Sequence, residues 1–262
     1  MYGYSGKILH IDLKTQKTWI EEKPEEWYKL WIGGVSMATR LCWENITPGC
    51  DPYSPENPVC IANGIFTGTP VPVGGKFGMA DKSPMTGFIG DSLSGSWFSI
   101  ALKRAGWDGI VIHNQSDSWV NVFIDDDHVE FLDATYLLGK GTYETEEAIR
   151  EKLGDEQIRS CTIGPCGEHG VRFANVTNDG RKAGRTGHGS VWASKKLKAL
   201  SVRGTKGVRV YDPQTLMQLS YDISKAAQGE HTAKYRIYGT ATGMKNSSEM
   251  GVLPTRNFQE GV

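Results

Sequence analysis

The sequence predicts an α+β fold over residues 1 to about 210 and the start of a helical domain over 211–262. Three observations carry this. Strand-like and helix-like stretches follow one another in mixed order, with hairpins as well as crossovers, unlike the strict alternation of a doubly wound sheet. The glycines, 32 of 262 residues, stand in punctuated clusters where backbone must turn or pass close to a partner. From Asp212 onward strand signals cease and DPQTLMQLSYDISKAAQ carries a helical pattern, so a boundary falls near residues 208–212.

GKILHIDLKTQKTWIEE alternates apolar and polar residues on either side of Lys-Thr-Gln-Lys, the pattern of a β-hairpin. PEEWYKLWIGG opens a helix at Pro24, places acids in the first turn where the helix dipole favours them, and stops at Gly33-Gly34. VSMATRLCWENI has apolar residues at helical spacing, and SPENPVCIANG gives a loop and a short buried strand. Residues 64–95 read as a long glycine-rich passage. SGSWFSIALKRAG is a helix closed by Gly106, with Lys103 and Arg104 in the last turn, the favourable end for cations. DGIVIHN, SWVNVFIDD and HVEFLD are three strands, the last two joined at Asp126-Asp127. TYETEEAIREKLG is a helix with a capping box beginning at Thr142. IRSCTIGP and GVRFANVTN are strands flanking GPCGEHG, and a helix over about 190–196 precedes the strand ALSVRG. The KKLK run at 195–198 reads as a solvated helix face.

With apolar residues at 39% and charged residues at 23%, the chain can bury a core and is no disordered polyelectrolyte. A formal net charge of −1 argues against bulk nucleic-acid binding, which shows as a basic domain. No stretch approaches the roughly 20 apolar residues needed to span a bilayer, and the N-terminus predicts no secretory leader. Cys42, Cys50, Cys60, Cys161 and Cys166 form no even disulfide framework, so they read as reduced and mostly buried, in a cytoplasmic protein.

Three stretches carry chemistry. In TGTPVPVGGKFGMADKSPMTGF, Lys76 follows a glycine pair, but Phe77 stands where a nucleotide P-loop needs Ser or Thr. In GDSLSGSWFS, Ser92, Ser94 and Gly95 precede a helix start, where free N–H groups bind anions. In NDGRKAGRTGHGSVWAS, Arg181, Lys182 and Arg185 are interleaved with glycines: arginine forks and backbone N–H groups suit phosphate. His188 stands alone between glycines, with no second metal ligand at helical or hairpin spacing. Three such elements far apart in sequence imply one large anionic ligand held between them.

Taken in order, these segments resemble the N-terminal region of the tungsten-containing aldehyde ferredoxin oxidoreductases. The landmarks are MYG at the start, DP-x-SPEN at 51–57, TGT at 67–69, GGK at 74–76, KSPMTGF at 82–88 and LKRAGWDGIVI at 102–112. IGPCGE at 163–168, NDGRKAGRTGHGSV at 178–191, SKKLKAL at 194–200 and LPTRNF at 253–258 complete the set, which covers essentially the whole chain.

The resemblance implies a two-sheet base and a cofactor of two pterin dithiolenes holding tungsten or molybdenum, with magnesium linking the pterin phosphates. It implies cofactor-binding roles for Lys76, Leu93, Gly95, Arg181, Lys182, Gly184 and Arg185, with the backbone carbonyls of Leu93 and Lys182 serving magnesium. Lys76 stands where the family has Arg, Leu93 where relatives often have Asn, and Lys182 where they have a small residue. The implied reaction takes an aldehyde and water to a carboxylic acid, with electrons passing through a 4Fe-4S cluster to ferredoxin or a ferredoxin-like subunit. The family's cluster cysteines and acid/base residues lie downstream of the segment matching Asn257–Gly261. The expectation is therefore a C-terminal half or partner subunit carrying them, no catalytic residue in this chain, and a possible homodimer. The alternative is a non-catalytic cofactor-binding or scaffold subunit.

Overall fold

The computed structural model describes residues 1–260 and divides into two compact units, Met1–Asp212 and Pro213–Val262. The first contains two six-stranded mixed sheets. One sheet runs β2-β1-β6-β3-β4-β5, with β1 Lys7–Asp12, β2 Lys17–Glu22, β3 Val59–Asn63, β4 Lys76–Lys82, β5 Ile89–Gly95 and β6 Gly109–His113. The other runs β11-β10-β9-β12-β7-β8, with β7 Val120–Asp125, β8 His128–Asp133, β9 Arg159–Thr162, β10 Val176–Asn178, β11 Arg181–Ala183 and β12 Leu197–Arg203. Within each sheet one pair is parallel, β1 with β6 and β7 with β12, and the remaining pairs are antiparallel.

Strand periodicity explains the layering, because successive side chains point to opposite faces. Leu9 and Ile11 face a central core with Val59, Ile61, Phe77, Met79, Ile110 and Ile112, while Ile8, Cys60, Ala62, Ala80 and Val111 face outward to a second cluster. There they meet Tyr28 of α1 (Glu25–Trp31) and Met37, Ala38, Leu41 and Cys42 of α2 (Gly34–Asn45). From the other sheet, Leu197, Leu200 and Val202 enter the central core, and Ala199 packs outward with Ile149 of α4 (Thr142–Leu153). Helix α3 (Trp97–Ala105) contributes Phe98 and Leu102 to the central core and touches both sheets. The short helices α5 (Pro165–Glu168) and α6 (His188–Ser194) complete the unit. The second unit has α7 (Pro213–Ala226), α8 (Glu230–Tyr238) and α9 (Met244–Glu249), and leaves Met217, Leu219, Tyr221, Ile223, Tyr235 and Ile237 exposed.

Three readings need correction. The glycine-rich passage 64–95 contains the paired strands β4 and β5, whose serines and aspartate hide an otherwise apolar strand signal. KKLK is no solvated face: Lys195 and Lys198 are buried. Lys195 Nζ donates to the Asn114 carbonyl at 3.0 Å, and Lys198 Nζ donates to the Ile163 carbonyl at 2.7 Å and pairs with the Glu168 carboxylate. Lys103 does stand in the last turn of α3, and it is also a buried ion-pair partner of Asp108 at 2.6 Å. The cap of α4 is Gly141, whose N–H donates to Glu144 Oε2 at 2.9 Å, not Thr142. Of the five cysteines, all free, Cys42, Cys60 and Cys161 are buried, Cys50 is half-buried and Cys166 is exposed.

Helix α2 packs so closely on β4 that a Cβ at Gly78 would lie 2.3 Å from the Val35 nitrogen. Gly78→Ala is expected to cost about 3 kcal/mol or more of stability, as overpacking against backbone does. Gly207→Ala, where a Cβ meets nothing within 4 Å, should change it by less than about 0.5 kcal/mol. Urea denaturation of both variants checks this.

Candidate functional site

Both β5 and β11 are edge strands, one of each sheet, and they lie beside one another. Buried side chains tie the first sheet to β10 and to the segment that follows β11. Ser92 Oγ accepts from the Arg185 N–H at 3.0 Å and faces the Arg185 carbonyl at 3.3 Å. Asn178 Nδ2 donates to Ser94 Oγ at 3.1 Å, and Ser83 Oγ donates to the Thr186 carbonyl at 2.7 Å. Deeper in, fully buried His188 donates through Nδ1 to Asp81 Oδ2 at 2.8 Å, tying α6 to β4. His188 is thus a structural partner of a carboxylate.

The β10–β11 connection is a two-residue turn in which Asn178 pairs with Arg181, and Asp179 and Gly180 both take positive φ, 44° and 73°. That is the Asp-Gly hairpin arrangement, in which both central residues adopt left-handed backbone. Asp179 also caps α3: Phe98 N–H reaches Asp179 Oδ2 at 3.2 Å and Ser96 Oγ at 3.1 Å. Protein acceptors therefore take that donor of the α3 start. Ser92 and Ser94 sit within β5, where their side chains serve the sheet junction; Ser96 is the helix cap.

Above the junction lies an open cleft of about 520 Å³, lined by Val73, Gly75, Lys76, Leu93, Ser94, Gly95, Arg181 and Lys182. Lys76 and Gly95 are direct cross-strand partners. A Cβ at Gly95 would stand 2.9 Å from Lys76 Nζ, so the missing side chain makes room for the lysine to lie across β5. Five of the seven sequence-derived positions, Lys76, Leu93, Gly95, Arg181 and Lys182, line this one cleft. Gly184 and Arg185 do not line it; they follow β11 directly, exposed, with Arg185 backbone fixed to Ser92. Among the described residues no carboxylate lines the cleft and none pairs with Lys76, Arg181 or Lys182. Three uncompensated cations around one concavity focus a positive potential, which an anion relieves. Also among the described residues, no group of three or more His, Cys, Asp or Glu side chains is placed to hold a metal ion. No helix among them is long and apolar enough to cross a membrane.

These features define a class: a two-sheet α+β base that presents glycine-backed cations at the junction of two sheet edges. The family described as Aldehyde ferredoxin oxidoreductase, N-terminal domain, matches residues 8–204, and the chain belongs to it. It is 43% identical over 265 residues to the tungsten-containing aldehyde ferredoxin oxidoreductase of Thermococcus kodakarensis (strain ATCC BAA-918 / JCM 12380 / KOD1), covering 100% of this chain and 44% of that one. It is 33% identical over 279 residues to the aliphatic sulfonate oxidoreductase, WOR-like subunit, of Pyrococcus furiosus (strain ATCC 43587 / DSM 3638 / JCM 8422 / Vc1), covering 99% of this chain and 44% of the relative. Among solved structures it resembles the active site complex BamBC of benzoyl coenzyme A reductase in complex with 1,5 dienoyl-CoA. There the TM-score is 0.84 and the identity 31%, over 87% of this chain and 35% of that one. The chain thus spans less than half the length of these relatives.

One titratable group sits behind the cation-bearing turn. Glu146 of α4 accepts from the Asp179 N–H at 3.2 Å. Burial first, then the neighbouring Asp179 carboxylate, push its pKa up to about 7, against the opposing pull of Arg150 and Arg159. A folded carboxyl that holds its proton to about 7, and an unfolded one that releases it near 4.5, make the folded state the stronger proton binder between those values. Its stabilisation is full below pH 4.5 and lost as pH rises through about 7. Urea midpoints from pH 5 to 8 should therefore fall less with rising pH in Glu146→Gln than in the wild type. Parallel slopes would contradict the assignment.

Proposed function

We propose that the chain is the metallopterin-binding base of a tungsten or molybdenum aldehyde oxidoreductase. The observation that carries this reading is the convergence of Lys76, Gly95, Arg181 and Lys182, from segments a hundred residues apart, on one cleft without a carboxylate. The donor set fits the group. Arg181 offers a planar fork for phosphate oxygens, and Lys76 and Lys182 add mobile charges. Gly95 and Gly75 leave backbone bare beneath the ligand, and Arg185 adds a further cation beside β11. Hard backbone carbonyls at Leu93 and Lys182, on the two edge strands, suit magnesium held together with phosphates.

When bound, the metal supplies two-electron redox chemistry, through which aldehyde plus water becomes carboxylic acid, two protons and two electrons. The residues of this chain bind and orient; none is assigned a proton transfer. The electrons would leave through a 4Fe-4S cluster held by a C-terminal half or partner subunit, toward ferredoxin or a ferredoxin-like subunit in the cytoplasm. A homodimer is compatible with this reading. Identity of 40% or more to aldehyde enzymes supports the aldehyde over the aliphatic sulfonate and benzoyl coenzyme A in the names of more distant relatives.

Co-expression with the C-terminal continuation or partner, in medium containing tungstate and molybdate, tests this. Tungsten or molybdenum should co-purify with pterin that fluoresces after oxidation, and Arg181→Ala with Lys182→Ala should lower both at least tenfold. Absence of both metals and of pterin would refute it. Metal and pterin without aldehyde oxidation would assign the chain to a non-catalytic cofactor-binding subunit.

A further inference from the structure

The Gly74 N–H donates to the Val71 carbonyl at 3.1 Å, closing a four-residue turn with Pro72 in its second position and Val73 in its third. Val73 has φ +62°. Left-handed backbone at the third position, after proline, is the type II arrangement, which calls for Gly or Asn. A β-branched residue there is a genuine outlier, because its branched Cβ crowds the backbone. The strain has to be held by the rest of the fold, and such residues gather at ligand-binding sites.

Among the described residues two other β-branched ones take positive φ, and both have local reasons for it. Thr186, φ +63°, accepts from Ser83 Oγ through its carbonyl and donates its hydroxyl to the Arg185 carbonyl, both at 2.7 Å. Ile32, φ +55°, closes α1 with its N–H on the Tyr28 carbonyl at 2.8 Å and accepts from Tyr4 Oη at 2.6 Å. Among the described residues Val73 has no such return. Its side chain is 79% exposed and joins none of the apolar clusters. What it does is line the cationic cleft, as does Leu93, 55% exposed. A site for bare phosphate has no use for exposed aliphatic groups. A phosphate ester with a flat organic body does.

We infer that Val73 is a ligand-contacting residue of the cleft, its isopropyl group packing on the organic body of a pterin phosphate whose anionic end is held by Lys76, Arg181 and Lys182. This rests on the cofactor reading above and adds the residue that distinguishes a pterin phosphate from phosphate alone.

The test uses the purified chain, with inorganic phosphate and neopterin phosphate as probes, and compares wild type with Val73→Gly and Val73→Asn, both suited to positive φ. The wild type should bind neopterin phosphate more tightly than inorganic phosphate. Both variants should weaken neopterin phosphate about five- to tenfold, the scale of burying part of one valine side chain, and leave inorganic phosphate within about twofold. Neither variant should melt at a lower temperature, because the strain is relieved. Unchanged neopterin phosphate affinity with intact phosphate binding would overturn the role of Val73 and leave the cleft standing; so would a lower melting temperature in both variants, which would make Val73 a packing residue. Failure of the wild type to bind either probe would remove the cleft reading and this inference together.

Discussion

Two sheet edges, β5 and β11, lie beside each other, and hydrogen bonds from buried side chains hold them there. An edge strand carries unpaired backbone groups, which have to be covered, paired or used. Here Asn178 of β10 and Ser94 of β5 join the two sheets, and Ser92 and Ser83 hold the segment after β11 at Arg185 and Thr186. Each removes a buried donor or acceptor from the cost of desolvation. The same contacts determine where Lys76, Arg181 and Lys182 stand. If the junction slipped, three positive charges would separate and the cleft would lose its potential.

The fold supplies rigidity behind this junction from three directions. Helix α3 packs between the sheets and has its first turn capped by Asp179, from the very turn that carries Arg181. His188 and Asp81 form a buried pair linking α6 to β4. Buried Lys195 and Lys198 pin the chain after α6 to carbonyls and to Glu168. Breaking any one of these would leave an unpaired polar or charged group inside, which is far costlier than losing an exposed pair. The flexible-looking, basic sequence from 178 to 198 is therefore tied to the fold at Asn178, Asp179, His188, Lys195 and Lys198.

Much of this was legible in the sequence. The β1–β2 hairpin, α1, α2, α3 with its Gly106 stop, and the strands β6 to β8 follow from periodicity and end signals. The β4–β5 pair was not legible, because Gly78, Gly90, Ser92 and Ser94 are small or polar for reasons set by distant neighbours: α2 presses on Gly78, and β10 and Arg185 receive the serines. Lys195 and Lys198 misled in the same way, since their partners lie 30 to 140 residues away in sequence. The Asp179-Gly180 turn did carry a local signal, an Asp-Gly pair between strand-like residues, masked by the surrounding glycines and cations. The glycine-and-cation pattern singled out Lys76, Arg181, Lys182 and Arg185 and pointed to one shared anion; the family resemblance added Leu93 and Gly184. Val73 carries no signal at all until its backbone angle is known.

The β5–β11 junction is, on this reading, an anion cradle. Crystals of the chain soaked in pyrophosphate test it most directly. Density for the ion is expected between Lys76, Arg181 and Lys182, within hydrogen-bonding reach of at least two of the three, with the Ser94–Asn178 and Ser92–Arg185 contacts unchanged. Pyrophosphate bound elsewhere with this cleft empty, or the three cations turned away from one another into solvent, would contradict it.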